Sequence, residues 1–298
     1  MSATIVCGID GSSEAQRAAS VAARLARDLK SRALLVHVEE DAPKGPLGLR
    51  RPRPGRARRK RKMLRATAEE CCFPSETYLR LKRGDPAAEL LAIAEKEDAE
   101  LVVVPTGSWE TARPVLLGGT ASALMRSCPC PAVVVPPRSI PPLDTEGMRS
   151  VVCGVEGRET DVRALRLGAD LAARLGGDLH AVHGYEADEA PATPVGPGQV
   201  PDDELHTAAE RKLIFSVVQA GVEARRHVLP LPLDEALERV ARQERAGLTV
   251  VGPPPERGRP TPVAIRLAAG GSTALVVLPS EAELDSGSGH YELAASPA

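Results

Sequence analysis

The sequence predicts an α/β protein of two tandem, doubly wound domains, each a five-stranded parallel sheet covered by helices. Three observations carry that prediction. First, the chain is written twice. Ile5-Val6-Cys7-Gly8-Ile9-Asp10-Gly11 returns as Val151-Val152-Cys153-Gly154-Val155-Glu156-Gly157, and His37 returns as His183, all at one offset of 146 residues. A fixed offset over an ungapped stretch marks duplication of a whole folding unit, and this period is that of a domain rather than of a solenoid repeat. Second, the strand candidates are continuously apolar, as strands buried on both faces are. Third, helical segments alternate with them, and right-handed crossovers then wind a Rossmann-like sandwich. The length of 298 residues agrees with two domains at ~100–200 residues each.

The elements follow in order. Thr4–Ile9 is a short apolar run, hence a buried strand. Asp10-Gly11-Ser12 is a turn, and Ser13 with Gln16 three residues on is a capping-box signal. The helix after it places Ala18, Val21, Ala22, Leu25, Ala26 and Leu29 on one face. Ala33–Val38 is the second strand, followed by a long polar loop and a helix near Lys60–Cys71. Thr77–Leu81 is the third strand. Gly84-Asp85-Pro86 then opens a helix with Asp85 as N-cap and Pro86 at the first helical position. Leu101–Val104 and Ala132–Val135 are the fourth and fifth strands, with a helix near Thr120–Arg126 between them.

In the second half Val151–Val155, Asp178–Val182, Glu223–Val228, Leu248–Val251 and Ala274–Leu278 are strands. Asp161–Leu175 is a helix ended by Gly176-Gly177, and Leu233–Gln243 is another. The Pro-rich stretch Pro136–Arg149 marks the boundary. We therefore place domain 1 at 1–137, a linker at 138–149, domain 2 at 150–280 and a Ser-, Gly- and acid-rich tail at 281–298.

Aromatic residues are only 2% of the chain, so the core is built from Val, Leu, Ile and Ala. No apolar run reaches the ~20 residues of a membrane span, and the first residues enter a strand with no signal-peptide pattern; a cytoplasmic location is expected. The cysteines Cys7, Cys71, Cys72, Cys128, Cys130 and Cys153 include no pair at two-residue spacing and no accompanying His cluster, so no metal site is read from them. The net charge of −2 hides an asymmetry: residues 1–146 hold 23 basic and 18 acidic residues, residues 147–298 hold 15 and 22. Such asymmetry points to a partner or to attraction between the halves.

Several of these motifs, in this order and spacing, resemble the universal stress protein family. They are Ile9-Asp10-Gly11-Ser12 after the first strand, Leu35-Val36-His37-Val38 in the second, Gly84-Asp85-Pro86, Leu101–Val104, and Cys130-Pro131-Ala132-Val133-Val134-Val135. The resemblance covers nearly all of both halves and implies a five-stranded parallel sheet, usually dimeric, whose dimer a tandem chain can form internally. Many members bind ATP through a glycine signature (Gly, two residues, Gly, nine residues, Gly, then Ser or Thr) after the fourth strand. Glycines let the backbone approach phosphate, and amides at a helix N-terminus receive it. The resemblance assigns Asp10, Gly11 and Val38 to the nucleoside and Gly118, Gly119 and Thr120 to phosphate, in the crevice where strand order reverses.

This chain departs from that signature. Counting back from Gly119-Thr120 puts Trp109 and Thr106 where glycines belong, and counting from Gly118 puts Ser108 and Pro105 there. Trp109 adds bulk and Glu110 adds negative charge. In the second half Gly252 is followed by Pro253-Pro254-Pro255, which donate no amides. Glu156 stands for Asp10, Gly184 for Val38, and no Gly-Ser precedes the helix at Thr261. Gly270-Gly271-Ser272-Thr273 reads as a turn. No nucleotide is expected in domain 2.

Arg50–Arg65 carries ten basic residues and no acid, among them Arg56, Arg58, Arg59, Lys60, Arg61 and Lys62. Read as a loop beside the crevice, it is a candidate polyanion site for phosphate, nucleic acid or an acidic protein, although no aromatics interleave for base stacking. The matching segment Glu186–Glu204 holds six acids and no Lys or Arg. The two are expected to pair, within the chain or between copies. His37 and His183 read as inherited structural histidines, since no acid or nucleophile accompanies them. No nucleophile-elbow, Walker or zinc motif occurs. The leading reading is a non-enzymatic stress-response regulator with weak adenine nucleotide binding in domain 1 and an unidentified regulatory partner. The alternatives are a slow ATP-hydrolysing enzyme using Mg²⁺, and a polyanion or nucleic-acid module acting through 50–65.

Overall fold

The computed structural model describes residues 3–40, 55–107, 118–139, 149–186, 202–253 and 260–279. The expected features at Trp109, Glu110, Pro254, Pro255, Arg50, Arg51 and Arg53, most of the acidic segment, and the tail from 280 lie outside them. The first half runs β1 (Thr4–Gly8), α1 (Ser13–Asp28), β2 (Arg32–Glu39), α2 (Arg56–Glu70), β3 (Thr77–Arg83), α3 (Pro86–Lys96), β4 (Ala99–Pro105), α4 (Gly119–Ser127) and β5 (Ala132–Val135). The second runs β6 (Val151–Gly154), α5 (Asp161–Leu175), β7 (Leu179–Gly184), α6 (Asp202–Ala220), β8 (Arg225–Leu229), α7 (Leu233–Gln243), β9 (Leu248–Val251), α8 (Pro262–Gly270) and β10 (Ala274–Val277).

Each half is the expected parallel sheet, ordered β3-β2-β1-β4-β5 and β8-β7-β6-β9-β10. The halves join edge to edge through an antiparallel pair of β5 and β10, with Val133 opposite Val276, into one ten-stranded sheet. This pairing removes the edge that each half would otherwise leave open, and an apolar four-residue edge such as Ala132–Val135 is a template for pairing with other chains. The layers on the two faces run through both halves. Ala18, Leu64, Leu165 and Leu213, from α1, α2, α5 and α6, share one apolar cluster. Leu90, Leu124, Leu237 and Leu267, from α3, α4, α7 and α8, share the other. Each such buried leucine contributes about 1.5–3 kcal/mol. Across the seam, Arg174 of α5 bonds Glu100 of the first half and the Leu29 carbonyl.

Local chemistry explains most boundaries, and three of them correct the sequence reading. The cap of α1 is Ser12, whose hydroxyl accepts from the Ala15 amide at 3.1 Å, rather than Ser13; Gln16 turns instead to Glu70. Asp85 caps α3 as expected, accepting from the Ala88 amide at 2.8 Å with Pro86 behind it. Gly176 ends α5 in the left-handed conformation at φ 70°. The second correction concerns the basic run: the helix expected from about Lys60 begins at Arg56, so residues 56–59 are not loop but the first turn of α2. Leu64 and Thr67 anchor that helix to the sheet. Arg58, Arg59, Arg61, Lys62 and Arg65 face solvent, while Lys60 is half-buried and Arg56 pairs with Glu39 at 2.9 Å. The third is an element the sequence reading did not place. In α6 the buried residues Ala209, Leu213, Val217 and Ala220 recur at helical spacing.

The helices that carry the described ends of the basic and acidic segments lie far apart in the sheet. The helix α2 packs on β2 and β3 at one end of the sheet, whereas α6 packs on β7 and β8 at the other. Seven strand spacings separate β2 from β7, roughly 34 Å at ~4.8 Å each. The two helices therefore do not meet within one chain.

Candidate functional site

The strand order of the first half reverses between β1 and β4, and a crevice of about 280 Å³ opens there at their carboxyl ends. Asp10 and Val38 border it on one side, Pro86 and Leu90 on another, and Gly118, Gly119 and Thr120 at the start of α4. Five of the six residues assigned to nucleotide are thus brought together. Gly11 is not among them. It holds the turn at φ 95°, and a Cβ there would lie 2.8 Å from Met63 Sδ of α2, so its role is to let α2 close on the turn. Asp10 folds back on Ser12, whose amide and hydroxyl donate to its carboxylate at 2.8 and 2.6 Å.

The phosphate side of the crevice depends on a glycine that counting registers missed. Gly107, at φ 138°, stands two residues past β4, and the Gly118 amide donates to the Thr106 carbonyl at 2.8 Å. A Cβ on Gly118 would lie 2.8 Å from that same carbonyl oxygen and 3.2 Å from Gly107 Cα. The two glycines therefore let the backbone at Thr106–Gly107 meet the backbone at Gly118. A glycine two residues past the fourth strand, a residue type that admits positive φ, was the available signal. Gly118 is also the N-cap of α4 and offers no side chain to its amides, which leaves the first turn of that helix facing the crevice. Thr106, buried beneath, donates to the Ala268 carbonyl of α8 at 2.7 Å and so ties the crevice floor to the other half.

In the second half the same place holds only about 10 Å³. Three local substitutions fill it. Asp161, 1% exposed, accepts at one oxygen from the amides of Glu156, Gly157 and Arg158 at 2.8, 2.7 and 2.9 Å, so the anion-receiving turn holds the chain's own carboxylate. Burial pushes that carboxyl up, against the amides and Arg158 that pull it down. Thr261 caps α8 through its hydroxyl at 3.1 Å from the Ala264 amide, and Pro262 follows without an N–H. Leu233 lies over Gly154, at 3.6 Å from where a Cβ would stand.

The repeated histidines are equivalent in structure as in sequence. His37 Nδ1 donates to the Ile9 carbonyl at 2.7 Å and His183 Nδ1 to the Val155 carbonyl at 2.6 Å, each pinning the chain just past the first strand of its half. Burial, with Lys60 nearby, lowers the His37 pKa, while the bond to Ile9 and the charges of Asp10 and Glu39 oppose that shift. A base whose folded pKa is depressed costs stability as pH falls, because the unfolded chain takes up the proton first. We expect His37→Asn, whose amide keeps a donor near the Nδ1 position but does not titrate, to flatten the loss of stability between pH 7.5 and 5. Urea midpoints across that range are the measurement, and a wild-type slope retained in the variant would contradict this role.

Other groups are less suited to chemistry. Cys7 and Cys153 are fully buried and burial pushes both thiols up, out of the reactive range. Cys128 and Cys130 are buried with sulfurs 3.8 Å apart. No helix among the described residues is long and apolar enough to cross a membrane. One cluster went unnoticed in sequence: His180, His227 and Glu244, whose 47- and 17-residue separations match no motif, meet on β7, β8 and the end of α7.

A tandem, doubly wound α/β protein with internally paired sheets and one open switch-point crevice is the class that fold and site define. The universal stress protein family description matches residues 1–136 and 147–274, and the chain belongs to that family. A universal stress protein of Thermus aquaticus is 33% identical over 135 residues, covering 44% of this chain and 97% of its own length. Among solved structures, a universal stress protein from Archaeoglobus fulgidus superposes with TM-score 0.62 at 12% identity, over 93% of this chain and 98% of the other. A Pseudomonas aeruginosa protein described as a putative universal stress protein does so with TM-score 0.58 at 14% identity, over 95% of each chain. Both likenesses span the two halves, and both concern the fold.

Proposed function

We propose that this universal stress protein is a cytoplasmic, non-enzymatic regulator that binds an adenine nucleotide weakly in its first half. The second half, in this reading, is a structural partner that takes no nucleotide. The observation that carries the proposal is the difference between the two crevices: about 280 Å³ against about 10 Å³ in two copies of one fold. The larger space lies just below the ~300–1,000 Å³ range of small-molecule sites, enough for a nucleoside. Val38 and Leu90 offer apolar contact to a base, Asp10 an acceptor for ribose hydroxyls, and the first turn of α4 its amides to phosphate. ATP would enter as its Mg²⁺ complex. Among the described residues that line the crevice, none is hydrogen-bonded as a nucleophile to a base, which favours binding over hydrolysis.

The test is calorimetric titration of the full chain with Mg²⁺-ATP. One nucleotide per chain is expected, with affinity reduced about tenfold or more by Asp10→Ala, the loss of a hydrogen bond from a charged group. Absence of heat at millimolar ATP would overturn the proposal. A second reading rests on the five solvent-facing basic residues of α2, which suit contact with a polyanion. Steeply salt-dependent retention on heparin, abolished by neutralising Arg58, Arg59 and Arg61, would identify that use.

A further inference from the structure

We propose that His180, His227 and Glu244 form a binding site for a divalent transition metal, of the Zn²⁺ type, near the amino end of β7 and away from the nucleotide crevice. With one donor atom taken from each residue, all three atoms lie within 4.8 Å of one another. His180 Nδ1 and His227 Nε2 are 3.0 Å apart, and a Glu244 oxygen lies 4.0 Å from the other nitrogen of the His180 ring, Nε2, so the carboxylate has to turn to share the Nδ1 side. Tetrahedral coordination at about 2.0–2.1 Å places donors roughly 3.3–3.4 Å apart. The histidine nitrogens are already near that spacing, and Glu244, at the end of α7 with a third of its side chain exposed, has room to swing in. Two imidazoles and one carboxylate are a donor set that suits such ions and leaves a fourth position for water.

The duplication supplies an internal comparison. Strand register places Arg80 opposite Val36 in the first half and His227 opposite Val182 in the second, so these two positions correspond. Glu97 and Glu244 both cap the helix that follows, and Leu34 stands where His180 stands. The first copy thus has a leucine beside a single ion pair, Arg80 to Glu97 at 2.8 Å. The second has retained the glutamate and replaced both neighbours by imidazoles. A buried His180, 1% exposed, in place of leucine is costly for packing alone, and among the described residues its ring meets another imidazole and the carboxylate. Arg225, a cation that acts on both histidines, is paired with Asp178 at 3.0 Å and is largely exposed. Burial lowers the pKa of both histidines, which favours the neutral form that ligates metal.

The full-length protein, stripped of metal with a chelator, is titrated with Zn²⁺ against a chromophoric competitor and with Co²⁺ by absorption spectroscopy. One equivalent per chain is expected, with visible ligand-field bands and no thiolate charge-transfer band. His227→Arg reinstates the pair that the first half already folds with, so it serves as a folded control. Glu244→Gln changes little but the donor charge. Each is expected to weaken binding by about 100-fold or more, as loss of one of three protein ligands should. Undiminished binding in both variants, a cobalt–thiolate band that places the metal on cysteine, or no binding at about 100 µM metal would each overturn the site.

Discussion

Gly184→Val is expected to destabilise the protein by about 3 kcal/mol or more, even though it installs the residue that Val38 supplies in the first half. A Cβ on Gly184 would lie 2.5 Å from the Leu231 carbonyl oxygen and 2.8 and 2.9 Å from Leu233 Cα and N. These are backbone atoms, so no side-chain rotation relieves the contact. They are there because the chain leaving β8 turns tightly, the Leu231 amide donating to the Leu229 carbonyl at 2.9 Å, and enters α7 through Pro232 without a side-chain cap. The first half leaves β3 differently. Gly84 at φ 134° and the cap Asp85 hold that turn away from Val38. The urea midpoint of the variant is the measurement. A change within about 0.5 kcal/mol, the range of surface substitutions, would mean that the turn after β8 moves aside freely and that the second crevice can be opened.

Asp161→Ala is expected to cost about 2–4 kcal/mol, because three amides that one buried carboxylate now satisfies would be left unpaired. Asp161→Asn keeps an acceptor oxygen and is expected to lose less. Faster hydrogen exchange at the Glu156, Gly157 and Arg158 amides in the alanine variant would localise the effect. Equal midpoints for wild type and alanine variant would show that water or a solute anion replaces the carboxylate, and that this turn retains the capacity to receive an external ligand. Both substitutions address one question: whether the second crevice is closed by its own residues or only unused.

Much of this was legible along the chain. The repeat at 146 residues announced two copies, continuous apolar runs gave the strands, and Asp85-Pro86 and Gly176 marked helix ends by their own chemistry. The misreadings have local causes. Basic residues at 56–59 look like the end of a solvated loop because like charges repel, yet Leu64 and Thr67 packing on the sheet hold them in the first turn of a helix. Ser12 and Ser13 are equally good caps by type, and only the Asp10 turn selects the first. Gly107 was passed over because a counting register assumes fixed loop length, whereas the structure requires only that two small residues meet.

The sequence by itself determined the duplication, the order and kind of the elements, and the residue types at the first crevice, because periodicity, caps and turns depend on neighbours along the chain. Only the tertiary structure decided three further matters: that β5 and β10 join two sheets into one, that one crevice stands open while its copy is filled by Asp161 and Leu233, and that His180, His227 and Glu244 meet. Each of these depends on which strands lie side by side and which side chains reach across them, and those distances are set by the packing of segments far apart in sequence.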